Sequence, residues 1–155
     1  MTITRILVPT DFSVHADVAM RYALELAERF NAQVHLLNIV EDPLAAGAWS
    51  SEIYTAEIAG LQLNLVRDAE KRLRALLPEN AATVTCEVRR GPAARQILEA
   101  ARERGSDLIV MGTRGLTGVA HVLMGSVAEK VVRLAPCPVL TLHAHEPAET
   151  AHRVA

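Results

Sequence analysis

Residues 109–142 read IVMGTRGLTGVAHVLMGSVAEKVVRLAPCPVLTL, and their layout decides the fold. The stretch opens in an apolar run, Leu108 to Met111, with the composition of a buried strand. Gly112, Gly115 and Gly118 follow. Gly125-Ser126 then heads a helical pattern in which Val127, Val131 and Leu134 are expected inward. Pro136-Cys137-Pro138 stops it, and Val139 to Leu142 is a second short apolar run. Strand, glycine-rich loop, serine-headed helix, strand: in this order a chain offers backbone N–H groups and a helix N-terminus to an anion. The glycines equally serve tight turns, and the local pattern leaves both readings open.

The same alternation runs back to the N-terminus. Ile3 to Val8 is a β-branched and apolar run ended by Pro9. Pro9-Thr10-Asp11-Phe12-Ser13 reads as a turn, with Ser13 as the N-cap of a helix. Ala19, Tyr22, Ala23, Leu26, Ala27 and Phe30 then recur at helical spacing up to Asn31-Ala32. Val34 to Val40 is a strand, followed by the acidic turn Glu41-Asp42-Pro43. Residues 44–51, with Gly47 and Trp49, carry no clear pattern. A helix is expected over 51–77, starting late or bending at Gly60, with Leu61, Leu65, Leu73, Leu76 and Leu77 near one face. Val84, Cys86 and Val88 share one face of a strand over 83–88, which alternates and so belongs at an edge. Gly91-Pro92 opens a helix whose inward face is Ala94, Ile97, Leu98 and Ala101, and Gly105 closes it before a strand over 107–111.

The order is βαβαβαβαβ. With right-handed crossovers it gives an open α/β fold, a parallel sheet with helices on both faces. Ligands of such sheets bind outside the C-terminal strand ends. With the first and fourth strands as neighbours, the Pro9-Thr10-Asp11 turn meets the Gly112 loop there.

A chain of 155 residues reads as one domain. At this size roughly 70% of the unfolded surface is buried, so no staples are needed. Half the residues are hydrophobic and 3% aromatic, so the core is aliphatic. The net charge of −2 supplies no basic footprint for nucleic acid and no polybasic membrane patch. No apolar run reaches the ~18–20 residues of a membrane span, and the N-terminus lacks a signal pattern, so a cytoplasmic protein is expected. Cys86 and Cys137 suggest neither a disulfide framework nor a zinc site.

Taken together, Ile6-Leu7-Val8-Pro9-Thr10-Asp11-Phe12-Ser13, Leu36-Leu37-Asn38-Ile39-Val40, Gly91-Pro92, Met111-Gly112-Thr113-Arg114-Gly115, Gly125-Ser126-Val127 and Pro136-Cys137-Pro138-Val139-Leu140 resemble the universal stress protein family, in its ATP-binding subgroup. The family signature Gly-x2-Gly-x9-Gly-Ser/Thr is matched by Gly112, Gly115, Gly125 and Ser126. The resemblance implies a five-stranded parallel sheet in order 3-2-1-4-5, Rossmann-like and akin to the adenine nucleotide alpha hydrolases. It covers a domain over 1–143, ahead of a polar tail over 144–155. It implies ATP at the C-terminal strand ends. Pro9, Thr10 and Asp11 would lie around ribose and phosphates, and the backbone of Ile39 at the adenine edge. Met111 and Gly112 would pack on the nucleoside. Thr113, Arg114 and Gly115 would follow the phosphates, and Gly125, Ser126 and Val127 would cradle them. It also implies a homodimer through the last strand, Val139, Leu140, Thr141 and Leu142, whose apolar edge suits such pairing.

There is no Gly-x4-Gly-Lys-Ser/Thr, so the chain is not a Walker-type ATPase. Asp11 is the one acid placed in the expected pocket. It would hold Mg²⁺ or Mn²⁺ through water, or serve only the turn beside Ser13, and both readings stand. His143-x-His145 lacks placed partners for a metal. His121 sits in the glycine loop, at a phosphate or at the surface, while His15 and His35 show no constellation. Ser126 has no His–acid partner, so a nucleophilic role is not expected. The reading is an ATP-binding regulatory protein rather than a strong catalyst. The alternatives are slow metal-dependent ATP hydrolysis through Asp11 and a dimeric interaction module that uses no nucleotide. A flavodoxin-like carrier is disfavoured, since no aromatic lies in the glycine loop to stack on a flavin.

Overall fold

The computed structural model describes residues 2–41, 56–77, 83–113 and 124–144. The elements are β1 (Arg5–Thr10), α1 (Val14–Phe30), β2 (Gln33–Val40), α2 (Ala56–Ala75), β3 (Val84–Arg90), α3 (Ala93–Glu103), β4 (Leu108–Gly112), α4 (Ser126–Leu134) and β5 (Val139–Leu142). The strands form one sheet in the order β3-β2-β1-β4-β5, every neighbouring pair parallel. The fold expected from the sequence is therefore the fold observed, with β3 at an edge.

The period of two along β1 sends Ile6 and Val8 to one face of the sheet and Leu7 to the other. Ile6 and Val8 pack with Val34, Leu36 and Val110 beneath α1 and Leu73 of α2. Leu7 packs with Leu37 and Ile109 against Ile97 of α3 and Val131 of α4. Central strands buried on both sides read as continuous apolar runs, as β1 and β4 do. At the N-terminal edge of the sheet, Asp107 Oδ2 accepts from the Thr4 and Arg5 amides at 2.9 Å each and from Thr4 Oγ1 at 2.7 Å. This carboxylate holds the starts of β1 and β4 together.

Three helix faces differ from expectation. In α1 the buried stripe is Ala16, Ala19, Ala23 and Ala27, while Tyr22 and Phe30 are exposed. Small side chains let this helix lie close to the sheet, and the aromatics flank the contact. In α4 Ala128 and Val131 are buried and Leu134 is exposed. In α2 the inward residues are Gln62, Ala69 and Leu73, with Leu73 1% exposed and Leu61 60% exposed. Leu61 lies one position before Gln62, about 100° around the helix, and Leu65 lies at the margin of this face. The buried polar Gln62 obscured the stripe. Its Oε1 accepts from Arg90 Nη2, which satisfies it beside β3.

Toward the β3 edge the α3 side of the sheet turns polar. Glu87 binds Arg89 Nε and Arg104 Nη2 at 2.8 Å each, and Arg89 Nη2 reaches Glu103 at 2.6 Å. His35 is buried beside them. Its Nδ1 meets Thr85 Oγ1 at 2.8 Å, and its Nε2 lies 3.3 Å from Glu87 without hydrogen-bond geometry. The structure thus gives His35 a constellation that the sequence did not suggest. Burial, seconded by the Arg104 charge, pushes its pKa down to about 4. For Glu87, burial works upward, but the bonds from Arg104 and Arg89 prevail and hold its pKa at about 2.

Two predictions follow from these placements. Leu73→Ala costs about 2–5 kcal/mol of unfolding free energy, whereas Leu61→Ala stays within about 0.5 kcal/mol; urea titration of both variants checks the face assignment. Neutral His35 is protonated in the unfolded chain before it is in the folded one. Its contribution to stability is complete above pH 6.5 and declines as the pH falls toward 4, by up to about 1.4 kcal/mol per pH unit. The Glu87 contribution is lost only below pH 4.5. His35→Gln therefore flattens the pH dependence of stability above 4.5, measured by urea unfolding across that range.

Candidate functional site

A cavity of about 370 Å³ opens at the C-terminal ends of β1, β2 and β4. That volume falls in the range of small-molecule sites, roughly 300–1,000 Å³. Its centre is the β1 turn, with Pro9, Thr10 and Asp11. On the β4 side lie Met111, Gly112 and Thr113, then Gly125, Ser126 and Val127 at the start of α4. On the β2 side lies Ile39. These ten expected residues come from four separate segments and line one space. Arg114 and Gly115 lie outside the described residues, as do Gly118 and His121 of the same loop and Trp49 and His145 elsewhere.

The turn after β1 is held in an unusual backbone state. Phe12 has φ of 63°, a left-handed conformation that costs a bulky residue energy. Two side chains secure it: Thr10 Oγ1 accepts from Phe12 N at 3.1 Å, and Asp11 Oδ1 accepts from Ser13 N at 3.0 Å. The Arg72 guanidinium lies 4.0 Å from the centre of the Phe12 ring. Ser13 caps α1 through its hydroxyl, accepting from Ala16 N at 3.2 Å. Asp11 thus forms the turn and also lines the cavity. Behind it the buried Asn38 donates to Thr10 O at 2.8 Å, which locks the ends of β1 and β2 together.

Gly112 has a steric reason to be glycine. A Cβ there would lie 2.9 Å from the carbonyl carbon and Cβ of His15. The first turn of α1 therefore rests directly on the end of β4. Thr113 then gathers three segments. Its amide donates to Leu142 O at 2.8 Å, its carbonyl accepts from Gly125 N at 2.7 Å, and its hydroxyl meets His143 Nδ1 at 3.0 Å. His143 stacks on His15, and His15 Nδ1 accepts from Ala144 N at 2.9 Å. The two ends of the glycine loop are thereby pinned together beside the cavity, and His15 and His143 buttress them.

Gly125 is the N-cap of α4 and supplies no side-chain cap. Glu129 N is the amide that bonds back to Gly125 O, so the amides of the first turn have no intrahelical acceptor. Ser126, Val127 and Ala128 line the cavity, and the positive end of the helix dipole adds to them. The arrangement suits an anion. Among the described residues, no group of three or more His, Cys, Asp or Glu side chains is placed to hold a metal ion.

Sequence reasoning missed Ala16, Glu41, Ala93, Ile97 and Ala128 as lining residues. Glu41 and Ala93 had a signal, because they directly follow the β2 run and Gly91-Pro92 and so sit on the ligand-binding edge. The other three are wall residues that only the packing of α1, α3 and α4 reveals.

The fold and cavity define a parallel α/β domain with a small-molecule-sized cavity at its C-terminal strand ends. The comparison with known proteins is specific. The sequence model of the universal stress protein family matches residues 2–143, and the chain belongs to that family. It is 34% identical over 145 residues to a universal stress protein of Methanocaldococcus jannaschii, covering 89% of this chain and 81% of that protein. It is 35% identical over 138 residues to one from Methanothermobacter thermautotrophicus, covering 87% and 92%. Among solved structures, the universal stress protein UspA of Lactobacillus plantarum superposes with a TM-score of 0.76 at 28% identity, covering 92% of this chain and 99% of that one. A universal stress protein solved in complex with cAMP shares the fold, with a TM-score of 0.60 at 24% identity over 92% and 98% of the chains.

The contact at Gly112 gives a direct test of the site's frame. Gly112→Ala forces α1 away from β4 and lowers stability by about 1–3 kcal/mol; thermal unfolding measures the loss.

Proposed function

We propose that the chain is an ATP-binding regulatory protein whose pocket is this cavity, and that it binds nucleotide rather than turning it over quickly. The observation that carries the reading is the meeting of the β1 turn with the amides of Ser126, Val127 and Ala128 around one cavity of nucleotide-compatible size. Phosphates would take those amides, with Thr113, Arg114 and Gly115 along the loop. The nucleoside would lie over Pro9, Thr10, Met111 and Gly112, with Ile39 toward the base. Mg²⁺ or Mn²⁺, where it accompanies the phosphates, would be held by Asp11 through water. Both acids on the cavity wall accept from backbone amides, Asp11 from Ser13 and Glu41 from Ala93. That assignment to positioning favours binding over fast hydrolysis. A universal stress protein of this fold has been solved with cAMP, which keeps the proposal within adenine nucleotides.

The proposal extends to a cytoplasmic homodimer through β5. That strand is an edge of the sheet, and its four residues are half-buried in the single chain. Among the described residues, no helix is long and apolar enough to cross a membrane.

Three experiments test this. Purified protein, denatured and resolved against adenine nucleotide standards, releases about one ATP per chain or binds it on addition with Mg²⁺. Gly125→Val, which puts a branched side chain at the cap, removes that binding while the circular dichroism spectrum is kept; undiminished affinity would sink the site assignment. Leu140→Lys on β5 converts the dimer to a monomer in sedimentation, and an unchanged dimer would place the interface elsewhere.

A further inference from the structure

Two helices, not one, point their N-termini at the cavity. α3 begins at Ala93 and α4 at Ser126, and both residues line it. Neither helix has a side-chain bond from its own N-cap, Pro92 or Gly125. The two ends reach the cavity from opposite sides of β1, α4 with Ser126, Val127 and Ala128 and α3 with Ala93. They also differ in one contact. At α3 the Glu41 carboxylate is already in place, Oε1 accepting from Ala93 N at 3.1 Å. The α3 first turn has no acid of its own, so Glu41, arriving from the end of β2, is the anion that complements this dipole.

We propose that Glu41 sets the polarity and specificity of the pocket. It occupies the α3 terminus as a built-in anion, leaves α4 as the phosphate end, and excludes nucleotides carrying a second phosphate on the nucleoside half. The inference rests on the nucleotide-binding reading above and adds to it which phosphorylated adenosines are refused. The physical reason is like-charge repulsion inside a cavity whose charged lining, among the described residues, is Asp11 and Glu41, both acidic. An acid at the end of the second strand has the same effect in dinucleotide-binding folds, where it accepts from a ribose hydroxyl and a phosphate there needs a cation instead. Glu41 is exposed at the rim, so its charge meets a ligand as it enters.

The test compares AMP with adenosine 3′,5′-bisphosphate, which differ by one phosphate on the nucleoside half. Both are measured by displacement of radiolabelled ATP from the full-length protein. For the native chain the bisphosphate binds more weakly than AMP by about tenfold or more. Glu41→Gln keeps an oxygen for Ala93 N and removes the charge, and the ratio falls toward one. Glu41→Ala exposes the Ala93 amide, and the ratio falls further or inverts. Thermal unfolding verifies that both variants are folded. A native ratio near one, or a native-like ratio in both variants, overturns the assignment of Glu41. A native protein that binds neither ATP nor AMP overturns the nucleotide reading itself, and the role of Glu41 with it.

Discussion

The site depends on one close approach, that of α1 to the end of β4 at Gly112. No side chain fits between Gly112 and His15. The alanine stripe of α1 lets the helix sink to that distance, and the Ser13 cap starts it at the right residue. Because β1 lies between β2 and β4, seating α1 on β4 brings the β1 turn beside Gly112 and Thr113 at the end of β4. Asn38 then fixes the β2 side through Thr10 O, and Thr113 fixes the β5 side through Leu142 O. The cavity is what remains between these fixed strand ends.

The polar groups around it are sorted by task. Carboxylates hold backbone: Asp11 the Phe12 turn, Glu41 the start of α3, and Asp107 the opposite edge of the sheet. Amides at the start of α4 have no intrahelical acceptor, and their residues line the cavity. A network of the buried His35 with the part-exposed Glu87, Arg89 and Arg104 carries the strongest pKa shifts, yet it lies beside β2, β3 and α3 and lines no part of the cavity. Perturbed titration here marks burial and ion pairing. It does not mark the site.

Much of the fold was legible because its central strands are continuous apolar runs and its turns carry Gly, Pro, Ser and Asn. Helix faces were less legible. Tyr22, Phe30, Leu61 and Leu134 were expected inward by hydrophobicity, yet small residues and a hydrogen-bonded Gln62 take the contacts instead. Of the glycine signature, the described Gly112, Gly125 and Ser126 line the cavity, but the pattern could not separate the reasons for its glycines. Gly112 answers to helix packing, while Gly125 stands at the N-cap of α4 with an ordinary extended backbone. His15 and His35 looked solitary because their partners, His143 with Ala144 and Thr85 with Glu87, are distant in sequence. Glu41 was readable by its place after β2, but its hold on Ala93 needed the crossover of α3.

The central claim is that the start of α4, together with the β1 turn, receives an adenine nucleotide. Amide chemical-shift mapping of the labelled protein during titration with ATP and Mg²⁺ tests it most directly. The account predicts saturable shifts at Ser126, Val127 and Ala128, joined by Thr10 and Gly112, with the amides of Thr85 and Glu87 unmoved. No shifts at saturating ATP, or shifts confined to residues away from the cavity, would contradict it.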